Sequence, residues 1–344
     1  MEKIRPLKLG AAYHGNRILK HVREDVLDII SHNMNLIVHM YTHNDMLRHD
    51  SVMKDIISVS EEAGLEVWVD NWGIDGGPGD KSNFVAHYPN DRMIYSNGES
   101  DMIKPCYNSE NFFDFTKKWI EYVREAGGKT VFWDEPHLLG NENKFTCCCP
   151  KCKKIFEERY NKPMPALFTP EVIEFRTWSL VNYFDRATKY ANELGITNTV
   201  CVMFDPSYGI SLDNIDKLCA LEKLDNIGCD PYWVGSVSGT DVYKYVYSRT
   251  KTNLDICIKF NKDHNLWIQA FGIPAGREEE IIYASEAAYD AGARTIIAWS
   301  FRGGEPNNYR AERCDVVWHT VGDTMRRIRD RDRGEIIKNC RNEI

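Results

Sequence analysis

Apolar runs of four to seven residues recur along this chain, each closing on polar or aromatic residues and each followed by a segment of helical period. Uninterrupted apolar runs of this length read as buried parallel strands, and apolar positions returning every three or four residues read as helices packed on them. Eight such runs are present: Leu7 to Tyr13, Asn35 to Tyr41, Leu65 to Asn71, Thr130 to Trp133, Thr199 to Asp205, Asn226 to Asp230, Leu266 to Phe271 and Thr295 to Phe301. Helical segments follow at Ile18 to His32, Val52 to Ala63, Asn111 to Ala126, Lys151 to Glu158 and Pro170 to Leu194. Gly64, Gly127, Gly195 and Gly292 stand just before the third, fourth, fifth and eighth runs, where a helix ends on a left-handed residue. Eight βα units in series predict a closed (β/α)8 TIM barrel, an α/β fold, with residues 1–344 forming a single domain. A doubly wound sheet is the poorer fit, because no Gly-rich dinucleotide turn occurs. A long excursion, Trp72 to Asn108, separates the third strand from its helix, and Gly76 to Gly79 within it reads as irregular loop.

Barrel enzymes assemble their sites at the carboxyl ends of the strands. Those ends are Tyr13 and His14; Tyr41 and His43; Asp70, Asn71 and Trp72; Asp134 and Glu135; Asp205; Asp230, Tyr232 and Trp233; Gln269; Trp299 and Arg302. Acids and aromatic rings dominate. A carboxylate beside a core must be paired, solvated or put to use, so many on one rim predict a polar pocket, although any one of them could cap a loop. The fourth strand continues as KTVFWDEPHLLGNENKFTCCCPKC from Lys129 to Cys152. Two adjacent acids are thus followed, in the same loop, by Cys147-x-Cys149-x-x-Cys152, a spacing suited to a metal clip.

Trp133-Asp134-Glu135-Pro136 resembles the strand-four motif of the large retaining clan of (β/α)8 glycoside hydrolases, in which Asn-Glu-Pro or a near variant presents the acid/base. The cysteines resemble those of the family 42 β-galactosidases, where one Cys upstream of the strand joins a Cys-x-Cys-x-x-Cys triplet. The resemblance implies a small carbohydrate substrate, Glu135 as general acid, and a structural zinc on Cys106, Cys147, Cys149 and Cys152. It implies no organic cofactor. It is residue-specific only from Cys106 to Cys152, and so marks a distant relation.

Two positions depart from the clan pattern. Asp134 replaces the expected Asn, and a second negative charge raises the pKa of one of the pair. In the seventh run, Leu266-Trp267-Ile268-Gln269-Ala270-Phe271, Gln269 stands nearest the expected nucleophile, and an amide cannot serve. Glycoside hydrolysis needs two carboxylates, about 5–5.5 Å apart for retention or 6.5–9.5 Å for inversion. Asp230, beside Tyr232 and Trp233, is the first choice for the second acid, and Asp205 the next. Asp70, Asp134, His39 and Gln269 are expected to hold hydroxyls, Trp72, Tyr232, Trp233 and Trp299 to stack on sugar faces, and Arg302 to meet an anionic sugar or Glu305. The alternatives are attack by the substrate's own acetamido group, as in hexosaminidases; sugar binding without turnover; and a lyase or isomerase using His39 and His43 with a divalent ion.

Composition narrows the classes further. Lys plus Arg number 43 against 51 Asp plus Glu, a net charge of −8 with no basic stripe, which excludes nucleic acid as a partner. Arg326 to Arg333 alternates with Asp330 and Asp332 and reads as the solvated face of a terminal helix. No run approaches eighteen apolar residues, and MEKIRPLKLG lacks the apolar core of a signal peptide. The expectation is a cytoplasmic protein without a membrane partner, in which Cys201, Cys219, Cys229, Cys257 and Cys314 are reduced core residues. Self-association into a homo-oligomer stays open.

Overall fold

The computed structural model describes residues 5–75, 81–203 and 208–342, with side chains to residue 336. The expected acid Asp205 and the expected loop at Gly76 to Gly79 lie outside the described residues. Eight strands close into a barrel: β1 (Lys8–Tyr13), β2 (Leu36–Met40), β3 (Glu66–Asp70), β4 (Thr130–Trp133), β5 (Thr197–Cys201), β6 (Asn226–Cys229), β7 (Asp263–Gln269) and β8 (Thr295–Trp299). Each neighbours the strands next to it in sequence, and β8 returns to β1, which is the (β/α)8 order. The helices are α1 (Leu19–Ser31), α2 (His43–Arg48), α3 (Asp50–Glu62), α4 (Phe84–His87), α5 (Glu110–Glu125), α6 (Pro150–Tyr160), α7 (Pro170–Glu193), α8 (Ile215–Cys219), α9 (Asp241–Lys259), α10 (Glu280–Asp290) and α11 (Cys314–Asn342). No helix among the described residues is long and apolar enough to cross a membrane. Gly64, Gly127, Gly195 and Gly292 all take positive φ, as their places ahead of strands require.

The chain divides into two compact units, one of residues up to Met40, Lys54–Trp68 and those from Asn226 onward, the other of Tyr41–Met53 and Val69–Asp225. In the first unit, His39 Nε2 bonds Ser60 Oγ on α3 at 2.9 Å, which marks that face of β2 as the helix side. Strand alternation then turns Leu36, Val38 and Met40 inward. An inward polar layer lies across β6 and β7, where Asn265 donates to Asn226 Oδ1 at 2.7 Å and accepts from Trp267 Nε1 at 2.8 Å. Gly228 is the Cα partner of Asn265, and a Cβ there would sit 1.9 Å from the Asn265 side-chain oxygen. Only glycine leaves room for that amide.

β7 begins at Asp263, three residues earlier than its apolar run suggests, because His264 and Asn265 are paired inside the strand. His264 Nε2 accepts the Arg294 N–H at 2.7 Å, so a polar residue sits buried at the strand's base.

In the second unit, Trp133 Nε1 donates to Asn198 Oδ1 at 3.1 Å, and its ring packs on Trp119 of α5 and Phe184 of α7. That is the helix face of β4. Asp70 is the Cα partner of Phe132, so Asp70, Phe132 and, one alternation on, Asp134 belong to the barrel-interior face. The excursion after β3 carries an antiparallel hairpin, Arg92–Ile94 with Ser100–Pro105, and a second short pair, Gly140–Asn141 with Lys144–Phe145, lies in the loop after β4. The helices that follow start on local signals: Ser109 Oγ accepts the Phe112 N–H at 3.1 Å for α5, and Pro150 opens α6.

Candidate active site and metal centre

At the end of β3 in the second unit, the Asp70 carboxyl is fully buried, and neither of its oxygens makes a well-formed hydrogen bond among the described residues. Burial holds its pKa well above the ordinary carboxylate value; the nearby Trp72 backbone N–H opposes this, and the charges of Asp75 and Glu135 add to it. Asp134 is buried, and its backbone N–H donates to Asn71 Oδ1 at 3.0 Å. Glu135 follows with a φ of 35°, the left-handed region, which is costly for a residue with a side chain. An extended Glu135 would follow Trp133 to the helix side. The turn instead lets its half-buried carboxylate act on Asp70.

The loop beyond is pinned in several places. His137 Nδ1 donates to the Glu135 carbonyl, its ring lies 4.6 Å from that of Tyr208, and the Leu138 N–H donates to the Tyr208 carbonyl at 2.9 Å. Burial, with the Lys104 charge, pushes the His137 pKa down to about 4, so near neutral pH this imidazole is uncharged and carries its proton on Nδ1. The loop also meets a buried charge network that the sequence did not reveal. Tyr107 O–H donates to Asp75 Oδ2 at 2.6 Å and lies 3.4 Å from the His137 carbonyl, while Lys104 Nζ is 3.4 Å from Asp75 Oδ2. Lys104 and Asp75 are 3% and 5% exposed, and ion pairs so deep add little net stability. Nothing in the local sequence marks Asp75, Lys104 and Tyr107, because the contacts span loops far apart in the chain.

The four expected cysteines come together. Cys106, Cys147, Cys149 and Cys152 are all buried, and their sulfurs lie within 4.8 Å of one another. Cys106 to Cys152 is 3.4 Å and Cys149 to Cys106 is 3.7 Å, while none of them is in a disulfide. Four thiolates around a tetrahedral zinc at 2.3 Å would be ~3.8 Å apart, so the set fits such an ion. The surroundings also suit thiolates: Asn108 Nδ2 points at Cys152 Sγ from 3.3 Å, and the Cys152 N–H points at Cys149 Sγ from 3.4 Å. Thiol hydrogen bonds from Cys106, Cys147 and Cys152 hold the Cys149 pKa far below the thiol range, and the corresponding bonds raise Cys106 and Cys152. Cys148 is turned elsewhere, its sulfur 3.9 Å from the Phe145 carbonyl. Among the described residues this is the one cluster of three or more His, Cys, Asp or Glu side chains able to share a metal, so His39 and His43 do not form a second.

In the first unit the rim residues differ in exposure. Asp230 is half-buried, and its carbonyl accepts the Tyr232 N–H at 2.6 Å. Tyr232 packs edge-on to Phe271 at 5.0 Å. Trp299 is 8% exposed, between Trp267 at 5.3 Å and His14 at 5.0 Å, and Arg302 is half-exposed at 3.6 Å from Glu305. Trp72, in the second unit, is 9% exposed.

Three expected sugar contacts are engaged with the protein instead. Gln269 Oε1 accepts the N–H groups of Trp233 and Val234 at 2.9 and 3.0 Å, and its Nε2 donates to the Phe271 carbonyl at 3.2 Å. Trp233 is 0% exposed, and its indole N–H donates to Glu280 Oε2 at 2.8 Å, so no ring face is left to stack on a ligand. His39 is bound to Ser60 on the helix side of β2, away from hydroxyls in the barrel mouth.

No protein-family model and no curated protein sequence matches the chain. Solved structures do resemble it. The catalytic domain of a β-amylase from Paenibacillus polymyxa aligns with a TM-score of 0.63 at 9% identity, over 92% of this chain and 98% of that one. An endo-β-1,4-mannanase from Thermotoga petrophila aligns with a TM-score of 0.59 at 11% identity, over 95% of this chain and 77% of that one. A D-allulose 3-epimerase from Methylomonas sp. aligns with a TM-score of 0.50 at 12% identity, over 96% and 98%. The likeness at these identities is one of fold, a closed (β/α)8 barrel.

Proposed function

We propose that the protein is a glycoside hydrolase acting on a small saccharide or glycoside, in which Glu135 protonates the departing glycosidic oxygen. As the C–O bond breaks, a second carboxylate either attacks the anomeric carbon or takes a proton from the attacking water; Asp230 is the first candidate and Asp205 the next. Asp70 and Asp134 bond sugar hydroxyls, Trp72, Tyr232 and Trp299 offer ring faces, and Arg302 meets an acidic group. The observation that carries the reading is the pairing of a left-handed Glu135 with the buried, poorly bonded Asp70 at one end of the barrel. Both features cost stability, and such costs collect at sites that do chemistry.

The cysteine set would hold a structural zinc. Bound there, the ion would tie the excursion after β3 to the loop that follows Glu135, as in the family 42 enzymes that the cysteine spacing resembles. It would supply no step of the reaction.

Replacing Glu135 by Gln tests the assignment directly. Loss of a general acid costs about 10²–10⁴ in rate, so E135Q should lose that much activity on a saccharide with a poor leaving group. D230N should lose a comparable factor on any glycoside. Wild-type rates for both variants would remove the assignment. A silent D230N beside a dead E135Q, on acetamido sugars alone, would transfer the nucleophile to the substrate. Saccharide binding without turnover by the wild-type protein would leave a sugar-binding protein on a hydrolase barrel.

A further inference from the structure

A cavity of about 660 Å³ opens within the second unit, walled by α2, α4 and α5. Its volume falls in the ~300–1,000 Å³ range of small-molecule sites. One wall is aromatic. Phe84 stacks on Tyr88 at 4.8 Å and lies 5.4 Å from Phe115, which in turn meets the His43 ring at 4.8 Å. Phe84 is 1% exposed and backs the wall, so the ring faces left for sugar C–H groups are those of Tyr88 and Phe115.

The polar groups of the lining include three basic residues. His43, His87 and Lys118 line the same space, and they lie close enough that the charges of His87 and Lys118 add to burial in lowering the His43 pKa. Neither Lys118 nor His87 forms an ion pair among the described residues. The one carboxylate in the lining, Asp114, is taken by Lys117 at 2.7 Å. One ammonium and two imidazoles thus give the cavity a basic lining, in a chain of net charge −8. The exposed Lys118 ammonium lies 5.9 Å from the Tyr122 ring, and a neutral sugar would gain nothing from its charge. A carboxylate on the sugar would bond Lys118 and His87, while His43 Nδ1 keeps the Asn83 N–H it accepts at 3.2 Å.

We propose that this cavity is a binding subsite for a carboxylate-bearing sugar unit, a uronate, of an acidic saccharide. The inference rests on the carbohydrate reading above and adds to it a substrate class.

Calorimetric titration of the full chain with an oligoglucuronate and with a neutral gluco-oligosaccharide of equal length tests it, since heat of binding is read without turnover. The acidic oligomer should bind at least about tenfold more tightly, and should lose about tenfold in K118M and more in the K118M/H87A double variant. K251M, on α9 outside the cavity lining, should leave this affinity unchanged, and the melting temperature of K118M should match wild type. Equal affinity for the two oligomers, no binding of either, or loss of acidic binding in K251M and not in K118M would each overturn the subsite. Failure of the hydrolase reading is separable, because it appears as unchanged turnover in E135Q whatever these titrations show.

Discussion

Gln269 shows how much of a residue's role depends on partners outside its own strand. It lies two residues on from Trp267, on the same face of β7. What the strand cannot reveal is that the loop after β6 claims both acceptor sites of its oxygen. Gln269→Leu would leave the N–H groups of Trp233 and Val234 buried without acceptors. Each such loss costs about 1–3 kcal/mol, so the urea midpoint should fall clearly, whereas Gln269→Glu, which retains both acceptors, should fall less. Equal midpoints for Gln269→Leu and wild type would mean that the clamp contributes nothing. His39 was illegible for a similar reason. Its spacing from His43 suggested a shared site, but Ser60, twenty-one positions on, determines which way the ring faces. The Glu135 position, by contrast, could be read directly, since Pro136 and the adjacent acids mark the strand's end without help from elsewhere.

Among elements, the strands were legible where they were apolar and blurred where their polar residues found partners inside. β4 has the bounds its apolar run suggests, while the polar start of β7 was missed because His264 and Asn265 are satisfied across strands. The cysteine loop was legible because thiol spacing is short-range, and Cys106 was identified only through a family resemblance. Cys148 lies between two of those positions in sequence, yet its sulfur faces a carbonyl and stands outside the set of four. Protein expressed with zinc should therefore carry one ion per chain, measured by elemental analysis. Cys147→Ser should lose most of it, and Cys148→Ser should retain it. Stripping the ion with a chelator should open residues 140–165 to proteolysis before the barrel strands. Retention of metal in Cys147→Ser and loss in Cys148→Ser would reverse the ligand assignment.

For the whole molecule, the barrel was legible by counting, because each strand pairs with its sequence neighbours and closure then needs no long-range information. Global stability should carry the imprint of Asp70. Its folded pKa lies above the ordinary 3.8, so the folded chain binds the proton more tightly than the unfolded one. Stability contributed by this group is therefore full below the unfolded pKa and declines as pH rises toward the folded value. Asp70→Asn should be more stable than wild type at neutral pH, by a margin that shrinks to nothing as pH falls below ~4. Denaturant titrations at a series of pH values would show it, and a variant less stable than wild type at pH 7 would show instead that the carboxylate is held by bonds that favour its charge. A gain in stability paired with a loss of activity is the usual sign of a group kept for function.

Glu135 sits on a bend, and the far side of that bend is tethered through Leu138 to Tyr208, a whole βα unit further along the chain. Its aim is thus governed at a distance. A relative could keep Trp-Asp-Glu-Pro letter for letter and still be inert, if drift around the downstream tether let the acid swing off its target.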